Sequence, residues 1–139
     1  MTDSSRGLLR VLRILSAIIL FAIAGIHLFL TVDGVGGALG VAFILNGIAG
    51  IVLAIGMLAL HGRLLQLTAV LSLLFIIATL LALILALTVG LFGIRESWSF
   101  TLVPETVVIE AIGVVVLAVT SAVALRTRRG DAIGAPSRI

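Results

Sequence analysis

Two ionisable side chains, His27 and Glu110, interrupt stretches that are otherwise apolar. An ionisable group inside such a stretch is costly unless it is paired, so these are the residues to ask for chemistry. An imidazole exchanges protons near neutral pH, a carboxyl can titrate beside it, and imidazole with one or two carboxylates can ligate zinc or copper. Asn46 adds an amide within another apolar run, and Asp33, Arg95, Glu96 and Glu105 stand at the ends of such runs. Three readings are open for this group. It is structural, with His27 and Glu110 satisfying each other, Asn46 bonding a carbonyl across the glycine face of its helix and Arg95 neutralising Glu96 or Glu105; it is a metal or cofactor site; or it moves protons or a small solute. The identity of any metal or cofactor stays open. Bis-histidine haem ligation within one chain is disfavoured, because the second histidine, His61, falls at the opposite side of the membrane in the topology below.

The elements that position these residues follow from composition. Of the 139 residues 62% are hydrophobic and 11% charged, which leaves too little polar surface to solvate a globule in water. A hydrocarbon core of roughly 30 Å needs about 20 apolar residues in helix, and lipid requires each segment to satisfy its own backbone amides. The runs predict helix one over 14–31, helix two over 39–60, helix three over 64–89 and helix four over 105–125. The expected architecture is all-α: a polytopic membrane protein with four transmembrane helices in an antiparallel bundle. A polar tail over 1–13 precedes the membrane domain over 14–125, and a second tail follows over 126–139. The turn His61-Gly62-Arg63 is so short that helices two and three must form a hairpin. Helix three would be about 39 Å long, so it should tilt or emerge from the bilayer. Ala22-Ile23-Ala24 imitates a signal-cleavage site, but the apolar run continues to Leu30, which favours a retained helix.

All nine basic residues are arginine. Arg6, Arg10, Arg13, Arg63, Arg126, Arg128, Arg129 and Arg138 fall on one side of this layout and Arg95 alone on the other. The positive-inside rule therefore predicts both termini in the cytoplasm and the Asp33 and Trp98 loops outside. His27 then lies about 6 Å, and Glu110 about 9 Å, inside the outer ends of their helices, depths at which they could meet. The arginines are explained by topology and lipid headgroups, so nucleic acid is not an expected partner. The absence of cysteine removes disulfides, thiolate zinc sites and iron–sulfur clusters. Phosphate-loop, H-E-x-x-H and G-x-S-x-G motifs are also absent, which makes an enzyme the less favoured reading.

Membrane helices associate through small residues and buried polar contacts rather than through apolar burial. Gly36, Gly40, Phe43, Gly47, Gly50 and Ala54 share one face of helix two. Thr68, Ser72, Thr79, Ala82 and Ala86 form a comparable stripe on helix three, and Glu110, Gly113, Leu117, Ser121 and Ala124 one on helix four.

Gly25-Ile26-His27-Leu28, Phe43-Ile44-Leu45-Asn46-Gly47 and Gly90-Leu91-Phe92-Gly93-Ile94-Arg95-Glu96 resemble segments of small, mostly uncharacterised four-helix integral membrane proteins common in actinobacteria. The resemblance covers most of the membrane portion. It implies the four-helix layout, a bacterial plasma membrane location, and interest in His27, Asn46, Arg95 and Glu96, without implying a substrate. The short link after helix one lacks the Tyr and Pro residues found in many such relatives. Together these readings favour a non-catalytic membrane protein that self-associates or serves a larger membrane complex through its small-residue faces. The alternative is a small proton-linked transporter, or an ion- or metal-binding protein, with its polar site in the outer half of the bilayer.

Overall fold

The computed structural model describes residues 3–133 and contains four helices: α1 (Asp3–Val32), α2 (Gly37–Ala59), α3 (Gly62–Thr88) and α4 (Val103–Ile133). Each is long and apolar enough to cross a bilayer. Among the described residues there is no strand, only one isolated bridge between Leu91 and Ile94. The outer helices run past their expected ends. α1 continues back to Asp3 and α4 forward to Ile133, because Leu, Ala and Arg are strong helix formers and nothing in those stretches stops the helix. Much of what polarity marked as tail is therefore helix. The side chains of Arg128 and Arg129, and residues 134–139 with Arg138, lie outside the described residues.

The helices pack in the spatial order α2, α1, α4, α3. α1 lies against both α2 and α4, α3 lies against α4, and α2 and α3 touch least of these neighbouring pairs although they are joined by the shortest turn. In that turn Leu60 and His61 are extended, and Gly62 has φ +57, a left-handed conformation that a side chain resists. The two helices approach near the turn, where a Cβ on Gly56 would stand 2.9 Å from Thr68 Cγ2, and they diverge beyond it.

Polarity is turned inside out relative to a water-soluble bundle. Ser16, Ser72, Thr120 and Glu110 are fully buried, whereas Leu45, Val52, Leu74 and Val115 are more than half exposed. An exterior of that kind fits hydrocarbon, and the chain is a multi-pass membrane protein. Leu20, Ile23, Met57, Ile76 and Leu117 fill the centre with essentially no exposure.

Glycine lets α1 and α2 close on each other. A Cβ on Gly50 would lie 3.1 Å from Ala24 Cβ and 3.2 Å from Leu20 O, and one on Gly47 would lie 2.6 Å from Leu28 Cγ. Gly113 faces Ile76 and Ile19 where α1, α3 and α4 converge. The expected helix-two face is thus consumed within the protomer. Two of its members play other parts. Gly36 is the exposed N-cap of α2, with nothing within 4 Å of a Cβ, and a Cβ on Gly40 would meet the carbonyl of Val35 in the preceding link. On α4 the stripe of Glu110, Gly113, Leu117, Ser121 and Ala124 is buried throughout, as its spacing predicts.

Polar contacts tie the helices together at the end that carries the termini. Ser16 and Thr120 hydroxyls lie 3.0 Å apart between α1 and α4, and Gln66 Nε2 donates to Ala124 O, 2.9 Å, between α3 and α4. Arg13 caps α2: Nε donates to Met57 O at 2.7 Å, and Nη2 to Leu58 O and Leu60 O, each at 2.8 Å. These are carbonyls that a helix C-terminus leaves without intrahelical donors, and a cation there also complements the helix dipole.

Candidate functional site

Because α2 and α3 diverge, a cavity of about 690 Å³ opens between them in the half of the bundle farther from the termini. α1 and α4 form its back wall through His27 and Glu110. The α3–α4 loop forms its roof. There Leu91 and Ile94 exchange backbone hydrogen bonds of 2.9 and 2.8 Å around Phe92 (φ +50) and Gly93 (φ +80), a two-residue turn with both central residues left-handed. Ala38, Ala42 and Ala78 line the cavity and are also exposed, so its mouth is a slot framed by small residues between α2 and α3. Toward the termini the space is closed by the packed centre around Ile76 and Leu117.

His27 is buried and both its ring nitrogens are engaged. Nδ1 donates to Ile23 O at 2.9 Å, since a carbonyl only accepts, and Nε2 accepts from Asn46 Nδ2 at 2.9 Å. The pair selects the neutral tautomer with its proton on Nδ1. The Phe43 ring meets the imidazole edge-on, perpendicular and 5.1 Å between centroids. Asn46 therefore bonds a histidine rather than a carbonyl across the glycine face, and its side chain lines the cavity.

Glu110 is 1% exposed. Its carboxyl lies beside Thr79 of α3, while Oε2 has no hydrogen-bond partner. The expected pairing of His27 with Glu110 does not form. The two residues face one cavity, but the rotation of α1 aims His27 at α2 and that of α4 aims Glu110 at α3. Thr106, one turn before Glu110, donates to Leu102 O at 2.6 Å and also lines the space.

Of the remaining expected site residues, only Glu96 reaches the cavity, half-buried in the roof with its amide donating to Ala86 O at 3.0 Å. Arg95 is exposed on the roof loop, Glu105 is exposed in the first turn of α4, and Asp33 is exposed after α1. Among the described residues no ion pair joins Arg95 to Glu96 or Glu105, so the expected neutralisation is not made. Nor do any three His, Asp or Glu side chains gather there as a metal-ligand set. Sequence reasoning missed Thr79 and Thr106 as polar members of the site. Thr79 was visible as part of the small-residue stripe of α3, and its alignment with Glu110 is what the sequence did not carry.

Comparison with known proteins places no relative beside this chain: no family model, curated protein or solved structure matches it.

Proposed function

We propose that this chain is a non-catalytic membrane protein that holds a small amphipathic molecule in the cavity between α2 and α3. The observation that carries the reading is a pocket of about 690 Å³ whose back wall presents a buried carboxyl with one oxygen unpartnered. Its volume falls within the roughly 300–1,000 Å³ of small-molecule sites, and a mostly apolar wall with a few convergent polar groups is their usual composition. With the termini in the cytoplasm of a bacterial cell, as the arginines imply, the cavity lies in the outer half of the plasma membrane. Its mouth between α2 and α3 then faces the hydrocarbon, and a ligand enters sideways from the lipid phase.

The closed centre beneath the cavity favours holding a molecule over conducting one. Self-association, or service to a larger complex through the glycine faces, loses its main support because Gly47, Gly50 and Gly113 are spent on contacts within the protomer. The test is native mass spectrometry of protein released gently from its own membrane, alongside the Ala82→Phe variant, which fills the cavity. Retention of one small molecule by the wild type and its loss from the variant is the expected result. Identical masses of bound material in both proteins would refute the reading.

A further inference from the structure

The groups that line the cavity are unbalanced in charge. Glu110 and Glu96 contribute two carboxyls, and neither arginine nor lysine is among the lining residues. His27 cannot serve as the missing donor in the observed geometry, because Nδ1 is committed to Ile23 O and Nε2 already accepts from Asn46. Thr79 and Thr106 can spend their hydroxyl protons on carbonyls of their own helices, Ile76 O and Leu102 O. The cavity lining is therefore rich in acceptors: the Glu110 carboxyl, whose Oε2 is buried and without a partner, the Glu96 carboxyl and the Asn46 side chain. Three phenylalanines, Phe43, Phe75 and Phe100, complete the wall, and an aromatic face attracts a cation strongly where water is excluded.

From this we infer that the molecule held in the cavity is a hydrophobic organic cation, an amine or quaternary onium group on an apolar body, with its charge between Glu110 and Glu96. The inference rests on the ligand-holding reading above and narrows it to one chemical class. An anion would meet two carboxyls with no counter-charge. A neutral amphiphile could bond Glu110 but would draw no attraction from the charge that either carboxyl can carry. A monocation balances one of the two carboxylates and is attracted by the other, and its apolar body matches the alanine- and phenylalanine-rich wall. The slot between α2 and α3 admits such a molecule directly from the membrane, where hydrophobic cations concentrate.

The experiment is equilibrium binding to the full chain in phosphatidylcholine nanodiscs, with three probes of related shape: tetraphenylphosphonium, the anion tetraphenylborate and neutral triphenylphosphine oxide. The expected result is saturable binding of tetraphenylphosphonium alone at about one per protomer. Its affinity should fall at least tenfold in Glu110→Gln and severalfold in Glu96→Gln, and stay unchanged in Glu105→Gln, whose carboxylate is exposed outside the cavity. Unchanged helical circular dichroism identifies variants that remain folded, and Ala82→Phe supplies an independent block that leaves both carboxyls in place. Equal affinity in wild type and Glu110→Gln, or persistence of binding in Ala82→Phe, overturns the assignment. If the phosphine oxide binds and Ala82→Phe abolishes it while the phosphonium ion does not bind, the cavity stands and the cationic class falls. If none of the three binds saturably, both fall.

Discussion

Replacing Arg13 by alanine should destabilise the protein by about 2–4 kcal/mol. The guanidinium makes three short bonds to the end of α2, at 2.7, 2.8 and 2.8 Å. Hydrogen bonds involving a charged group contribute about 1.5–3 kcal/mol each, and a cation at a helix C-terminus adds about 0.3–1 kcal/mol. The full total is not expected, because the Nη2 bond to Leu58 O is exposed and water can replace part of the set. Arg13→Lys should recover about half the loss, since an ammonium keeps the charge but not the fork that reaches carbonyls on either side of Ala59. Arg10→Ala, whose side chain is exposed on the same helix, is the control and should shift stability by no more than about 0.5 kcal/mol. Unfolding by sodium dodecyl sulfate in mixed micelles, followed by circular dichroism, gives the three values on one scale. Arg13→Ala within about 0.5 kcal/mol of wild type would show that the α2 carbonyls are as well satisfied by water, and the capping argument would be wrong.

Gly50→Leu should cost about 1–3 kcal/mol or prevent folding, because even a Cβ presses on Ala24 and Leu20 O, whereas Gly36→Ala should be nearly neutral; the same titration separates them. A double-mutant cycle of His27→Ala and Asn46→Ala should give a coupling of about 0.6–1.7 kcal/mol, and additive losses would deny the bond between them. A cycle of Ser16→Ala and Thr120→Ala should give less, because Thr120 also bonds Val116 O at 2.8 Å and keeps that partner when Ser16 is removed; a coupling above the histidine pair's would contradict this. Phe92→Asn should raise stability by up to about 1 kcal/mol, since a residue at φ +50 with 95% exposure carries left-handed strain and buries almost nothing; a thermal melt showing loss would mean that the ring has a partner.

The number of helices was legible because length and hydropathy alone decide it, and the α4 stripe was legible because Glu110, Gly113, Leu117, Ser121 and Ala124 recur at a helical period. Depth was legible too: His27 and Glu110 do reach one cavity. Their partners were not, because depth follows from counting along a helix, whereas partnership depends on rotation about its axis. Asn46 was read as a carbonyl partner for the same reason. Arg13 was read as a marker of topology, which its type and place suggest, but its role comes from the end of a helix more than forty positions away in sequence. Ser16, Gln66 and Thr120 gave no signal above the general presence of small polar residues in an apolar run. Gly47 and Gly50 were rightly singled out for close approach, whereas Gly36 and Gly40 on the same face meet no neighbouring helix, and sequence could not distinguish a neighbour in the same chain from one in another.

The way α1 and α2 meet bears on the order in which the protein can be made. The contacts that join them, Gly47 against Leu28, Gly50 against Ala24 and Arg13 on the carbonyls of residues 57–60, involve nothing beyond Leu60. The first hairpin can therefore finish packing in the bilayer while the rest of the chain is still being synthesised. α3 and α4 then arrive as a second hairpin and dock chiefly through α4 on α1, at Ser16–Thr120 and around Gly113. The gap between α2 and α3 is what remains when two such hairpins join along one seam and leave the other open.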